Sequence, residues 1–266
     1  MLRPYCGGRN SLNLRLRFAV LIGLALWLAG CRAASPAPGT PMPAPVCAEP
    51  GTTALDHILI PDENRSLTVT IYRPPCYDAA GRAAYPVLYW TMLGAQALQT
   101  SDQLIQQGEL APFILVSLET DLTDGPGADG RIIRDVVPFV DAHYRTLADA
   151  RHRSIAGISA GGAIAARAAL QPPDLFGRVA VISGGIAEAE QDKFATWLAE
   201  TPPAERPAIL IDVGDQDGII MLTHYLTGTL DKGGVPYTFT HAPGDHAFAY
   251  WAAHMPAYLK WLMSRS

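Results

Sequence analysis

The sequence predicts an α/β fold with a mostly parallel central sheet and helices on both faces, and three observations support it. Short apolar runs with strand character alternate with helical segments from about residue 57 to residue 263. Several of these runs, such as Pro86–Thr91 (PVLYWT) and Pro112–Leu118 (PFILVSL), are almost continuously apolar, as strands covered on both faces are. Hydrophobic residues make up 49% of the 266, enough for the core that a sheet buried on two sides requires.

Taken in order, His57–Ile60 and Leu67–Tyr72 alternate or carry β-branched residues and end near Pro61 and Pro74-Pro75, so they read as antiparallel strands. Pro86–Thr91, a helix over Ala97–Gly108 and Pro112–Leu118 form a β-α-β unit, with Gly108 suited to cap the helix. Ile132, Ile133, Val136, Val137 and Val140 recur at helical spacing, and Pro138 should kink the helix that carries them. Then follow strand Ser154–Ile158, helix Gly161–Leu170, strand Val179–Ser183, helix Asp192–Glu200, strand Ala208–Val213, helix Met221–Lys232, strand Tyr237–His241 and helix Ala247–Met263. There is no internal repeat and no second linker, so residues 48–266 read as one domain.

The N-terminus reads differently. Arg3, Arg9, Arg15 and Arg17 precede the apolar run Phe18–Ala29, with no acid in the first 30 residues. The run is shorter than the roughly 20 residues that span a bilayer, so residues 1–30 read as a secretory signal. Leu28-Ala29-Gly30-Cys31 resembles the lipobox of bacterial lipoproteins, which implies acylation of Cys31 and an exported protein tethered by lipid to the cell envelope. Residues 31–47, rich in Pro and Ala, read as an extended tether. An exported compartment is oxidising, so Cys47 and Cys76, the two cysteines left in the exported part, are expected to form a disulfide. A net charge of −5 offers no basic excess for a nucleic-acid backbone, and nucleic acid is not an expected partner.

The chemistry centres on Gly157-Ile158-Ser159-Ala160-Gly161. This G-x-S-x-G follows an apolar strand and opens an Ala-rich helix, the context in which a serine sits on a sharp turn as a nucleophile. A serine hydroxyl needs an imidazole to take its proton and a carboxylate to orient that imidazole, in the chain order Ser, acid, His for this type of site. The strand over Ala208–Val213 runs into Gly214-Asp215-Gln216-Asp217-Gly218, which makes Asp217 the favoured acid, with Asp215 as the alternative and Asp212 as a structural residue inside the strand. Four histidines follow Ser159. His246, in the turn Pro243-Gly244-Asp245-His246, can reach the serine; His241 ends a strand, and His224 and His254 fall on helices. Neither a metal site, for which His241, His246 and a nearby Asp lack a ligand spacing, nor a cofactor is implied.

At these motifs the sequence resembles the esterase branch of the α/β-hydrolases, which includes ferric-siderophore esterases, feruloyl esterases, S-formylglutathione hydrolases and mycolyltransferases. The likeness runs from Asp56 to Leu262 and rests on Tyr85–Tyr89, Asp135–Asp141 with His143–Thr146, Arg153–Gly162, Pro173–Phe176, Gly214–Asp217, and Gly244–His246 with Trp251. It implies an α/β-hydrolase fold and a triad of Ser159, Asp217 and His246, with Ala160 giving one oxyanion N–H. Relatives commonly carry a His-Gly pair after the first parallel strand, where this chain has Trp90-Thr91-Met92-Leu93-Gly94-Ala95. The second donor is a backbone N–H, which Met92 or Leu93 supplies if the loop keeps its path; its loss would lower kcat about 10²–10³-fold. Asp121–Arg131 is shorter and richer in Gly than the excursion relatives often carry, which predicts a minimal lid and tolerance of bulky or polymeric groups. The expected function is a serine carboxylic-ester hydrolase acting on a small-molecule or polymer-linked ester. Acyl transfer and a binding role with an impaired oxyanion hole are the alternatives.

Overall fold

The computed structural model describes residues 49–60, 65–77, 81–118, 127–171 and 175–264. Eight strands form one sheet: β1 (Thr52–Ile60), β2 (Arg65–Arg73), β3 (Val87–Thr91), β4 (Ile114–Leu118), β5 (Arg153–Ile158), β6 (Arg178–Ile182), β7 (Ala208–Gly214) and β8 (Thr238–Ala242), in the spatial order β1-β2-β4-β3-β5-β6-β7-β8. The pairs β1/β2 and β2/β4 are antiparallel and all the others parallel. The antiparallel strands are thus the two whose alternating pattern separated them from the continuous apolar runs.

Side-chain alternation divides the core in two. Val87 and Tyr89 of β3, Ile155 of β5, Val179 and Val181 of β6 and Ile209 and Ile211 of β7 face one layer of helices. That layer comprises α2 (Ala128–Arg131), α3 (Val137–His143), α4 (Ala160–Leu170), α5 (Gln191–Glu200) and α6 (Ile220–Lys232). Leu88, Trp90, Ala156, Ile158, Ala180, Ile182 and Leu210 face the other layer, α1 (Gly94–Gln106) and α7 (Phe248–Leu262). Because both faces are covered, β3, β4 and β5 are buried at every residue, which is why their sequences lack a period of two.

Two local expectations acquire a geometry. Gly108 follows α1 at φ +73°, the left-handed position that ends helices. Pro138 stands in the first turn of α3, and the five residues before that helix, Ile132–Val136, form a π turn in which the N–H of Val137 reaches back to Ile132 O. The wider turn takes up the N–H and the space that Pro138 denies an α-helix, so the predicted kink is a change of helical pitch between α2 and α3.

The chain leaves β3 toward β4 on one side and β5 toward β6 on the other. The order of strands therefore reverses between β3 and β5, and ligands of open α/β sheets bind beyond the carboxyl ends of the strands at such a point. Residues 1–48, which include Cys31 and Cys47, and residues 121–126 of the lid segment lie outside the described residues. Cys76 is disulfide-bonded. Among the described residues no helix is long and apolar enough to cross a membrane.

Candidate active site

β5 ends at Ile158, and the ladder extends one residue further through Ser159 N–H to Ile182 O at 2.9 Å. The chain then reverses into α4, which forces Ser159 to φ +58°, ψ −124°. The two glycines of the motif make that turn possible. A Cβ on Gly157 would stand 2.0 Å from Thr91 Oγ1 and 2.3 Å from Gly161 O, and one on Gly161 would stand 2.3 Å from Thr91 O. Thr91, the last residue of β3, bridges the approach: its hydroxyl lies 2.8 Å from Gly161 O and 3.0 Å from Ala156 O, its one proton serving these carbonyls. The sequence reading passed over Thr91, since nothing local marks a threonine that touches an element some 70 residues away.

Beyond Ser159, the N–H of Ala160 opens the 11-residue helix α4, where the helix dipole favours negative charge. After β3, Met92 and Leu93 both adopt left-handed backbone, φ +64° and +56°. Trp90 Nε1 donates to Met92 O at 2.9 Å, and Met92 N–H donates to Leu118 O at 3.0 Å. This corrects the expectation for Met92: its N–H completes the β3/β4 ladder, and Leu93 is left as the candidate donor.

The acid loop follows β7. Asp217 is buried, its side chain fully so, and its Oδ1 accepts the N–H of Ile219 at 2.9 Å. Both its oxygens lie 3.0 Å from His246 Nδ1, and His246 Nε2 lies 2.9 Å from Ser159 Oγ. Asp215 turns instead to His241, Oδ1 to Nδ1 at 2.7 Å, on the exposed edge strand. Asp212 stays inside β7, where Thr240 Oγ1 and Tyr258 OH each donate to it at 2.5 Å. His254 faces Tyr250 O on its own helix, and His224 is exposed on α6. The structure thus brings together Ser159, His246 and Asp217, separated by 87 and 29 residues along the chain. Among the described residues no group of three metal-ligating side chains is present.

Gln216, between the two aspartates, ties this loop to the histidine loop. Its N–H donates to Gly244 O and its Oε1 accepts Gly244 N–H, each at 2.8 Å. Gly214 completes the approach, since a Cβ there would meet Gly244 O at 2.4 Å. Two loops joined in this way hold the carboxylate and the imidazole at fixed separation.

The family model described as "Putative esterase" matches residues 130–262, half of the chain and all three of these side chains. The chain belongs to this esterase family. Curated relatives include the endo-1,4-beta-xylanase/feruloyl esterase of Xylanibacter ruminicola, 29% identical over 150 residues covering 47% of this chain and 20% of that one. Another, the uncharacterized protein YbbA of Bacillus subtilis, is 25% identical over 43% of this chain and 55% of its own. The chain therefore spans a fifth and about half of these relatives. Among solved structures, a ferulic acid esterase superposes with a TM-score of 0.71 at 20% identity, covering 82% of this chain and all of that one. FphF, a fluorophosphonate-binding serine hydrolase of Staphylococcus aureus, gives 0.67 at 16% identity over 81% of this chain and all of its own. At these identities the likeness establishes the α/β-hydrolase fold.

Deeper in the domain, Tyr258 secures the strand that leads into the loop carrying Asp217. Burial first, and then the Asp212 carboxylate, hold its hydroxyl protonated well above the usual tyrosine range. Unfolded tyrosine ionises near about pH 10, so this contribution to stability is complete below that pH and is lost as pH rises above it. The thermal midpoint should accordingly fall above about pH 10, and Tyr258→Phe should start lower but fall less steeply. Melting curves between pH 8 and 12 check this, and parallel slopes for the two proteins would assign the alkaline loss to other groups.

Proposed function

We propose that the protein is a serine carboxylic-ester hydrolase. The observation that carries this reading is the hydrogen-bonded chain Asp217–His246–Ser159, ending on a serine held at a strained strand-to-helix turn. In the proposed cycle His246 Nε2 takes the Ser159 proton as Oγ attacks the ester carbonyl, and the N–H groups of Ala160 and Leu93 receive the oxyanion. His246 then protonates the leaving alcohol, giving the acyl-enzyme. Water, deprotonated by His246, attacks that ester and releases the acid and free Ser159. Asp217 holds the imidazole in the tautomer with its proton on Nδ1 and stabilises the imidazolium that forms in each step.

Further features bear on the substrate. The exposed apolar side chains Leu93, Met221 and Phe248 stand close in sequence to the oxyanion loop, the acid and the base. They favour an ester with an apolar acyl or aryl group, in keeping with the feruloyl esterases among the relatives. Chain direction bears on location: Thr52 pairs with Arg73, at the sheet edge opposite Ser159. A lipid on Cys31 and a tether over residues 31–47, which precede that edge in the chain, would place the protein at the cell envelope.

The experiment is hydrolysis of p-nitrophenyl acetate, butyrate and octanoate by the full chain in detergent, together with fluorophosphonate labelling mapped by mass spectrometry. Labelling at Ser159 and faster turnover of octanoate than of acetate are expected. Labelling without turnover would favour acyl transfer, and a folded protein that does not label would favour a binding role.

A further inference from the structure

Ser183, the first residue beyond β6, holds φ +44°, a left-handed conformation that strains a side-chain-bearing residue. Glycine would take it freely, and two glycines follow directly at 184 and 185. Yet the position is serine, fully buried, with its N–H fixed to Asp212 O at 2.7 Å. Its hydroxyl accepts the Nε1–H of Trp251 at 2.8 Å. Trp251 is itself buried, and its ring stands perpendicular to the His246 imidazole, 86° between planes and 5.0 Å between centroids.

The geometry of His246 gives this contact a purpose. Asp217 engages Nδ1 and Ser159 faces Nε2, so two hydrogen bonds fix the two ends of one axis through the ring. Rotation about that axis is left open, and it tips the Nε2 lone pair away from the serine proton. A wall against the side of the imidazole closes that motion, provided the wall cannot turn. The indole of Trp251 is such a wall, and the buried hydroxyl of Ser183 locks it through a donor that has one direction.

We propose that Trp251 and Ser183 are positioning residues for His246, the strain at Ser183 being tolerated because only a side chain with an acceptor oxygen anchors the indole. The effect on turnover rests on the esterase reading, whereas the placement of the imidazole can be read without it.

The test uses the full chain in detergent and three variants: Ser183→Gly, Trp251→Phe and the two together. Ser183→Gly relieves the strain but removes the anchor; in the double variant no buried indole N–H is left without an acceptor. The expected result is a folded Ser183→Gly protein with kcat down about tenfold and KM within about twofold of wild type, with the double variant similar. The low-field proton resonance of His246 Nδ1–H, identified by its absence in His246→Ala, should be sharp in wild type and broadened in the variants. Wild-type kcat and an unchanged resonance in Ser183→Gly and in the double variant would overturn the proposal. So would failure of Ser183→Gly to fold, since that would make the serine a packing residue, or a wild type without the resonance. If the wild type hydrolyses no ester, the esterase reading falls and the resonance alone decides the positioning role.

Discussion

Ser159→Ala and His246→Ala are each expected to lower kcat about 10⁶-fold, and the double variant no further, because in the proposed cycle nucleophile and base act as one unit. The hydrogen bond of 2.9 Å between His246 Nε2 and Ser159 Oγ is the reason: either group without the other leaves no activated nucleophile. Asp217→Asn should cost about 10⁴-fold while keeping the geometry, since an amide facing Nδ1 favours the wrong imidazole tautomer. Asp215→Asn is the matching control. Its carboxylate is paired with His241 on an exposed edge, and its removal should change kcat by less than about threefold, the scale of a surface ion pair. Steady-state kinetics on a p-nitrophenyl ester measures all five variants, and a larger loss at Asp215 than at Asp217 would reassign the acid.

The second large effect is on stability. Gly157→Ala is expected to destabilise the fold by more than the roughly 3 kcal/mol that marks severe overpacking, lowering the thermal midpoint by about 10 °C or more for a domain of this size. The new methyl would lie 2.0 Å from Thr91 Oγ1 and 2.3 Å from Gly161 O. Thr91→Ala in the same chain removes the first clash and leaves the second, which is with backbone at the start of α4 and cannot move without shifting the nucleophile. Rescue should therefore be partial. A Gly157→Ala protein that melts within a degree or two of wild type would show that the strand-to-helix turn at Ser159 is looser than its contacts indicate. By contrast, Gly218→Ala, where an added Cβ meets nothing within 4 Å, should leave the midpoint nearly unchanged.

The two effects mark where the sequence was informative. Gly157, Ser159 and Gly161 were legible because the motif is local: five consecutive residues between an apolar strand and an Ala-rich helix contain their own turn. The strands β3 to β7 were legible for a similar reason, since burial on both faces writes itself into consecutive residues. Asp217 and Asp215 could be ranked but not separated, because the difference between them is which loop each one meets after the sheet has formed. Met92 and Leu93 stayed equivalent for the same reason: the N–H of Met92 is engaged by Leu118, on a strand that is adjacent only in space.

The sequence by itself determined the class of fold, the order of its elements, and a short set of candidates for nucleophile, acid, base and oxyanion donor. These follow from hydrophobic period, turn residues and chain order, all of which are properties of neighbouring residues. Only the tertiary structure decided that Asp217 meets His246 while Asp215 meets His241, that Thr91 bridges to the turn at Ser159, and that Ser183 anchors Trp251 beside the imidazole. Each of those is a directional contact between residues some 26 to 70 positions apart, and hydrogen-bond direction across such distances is set by how strands pair and loops meet.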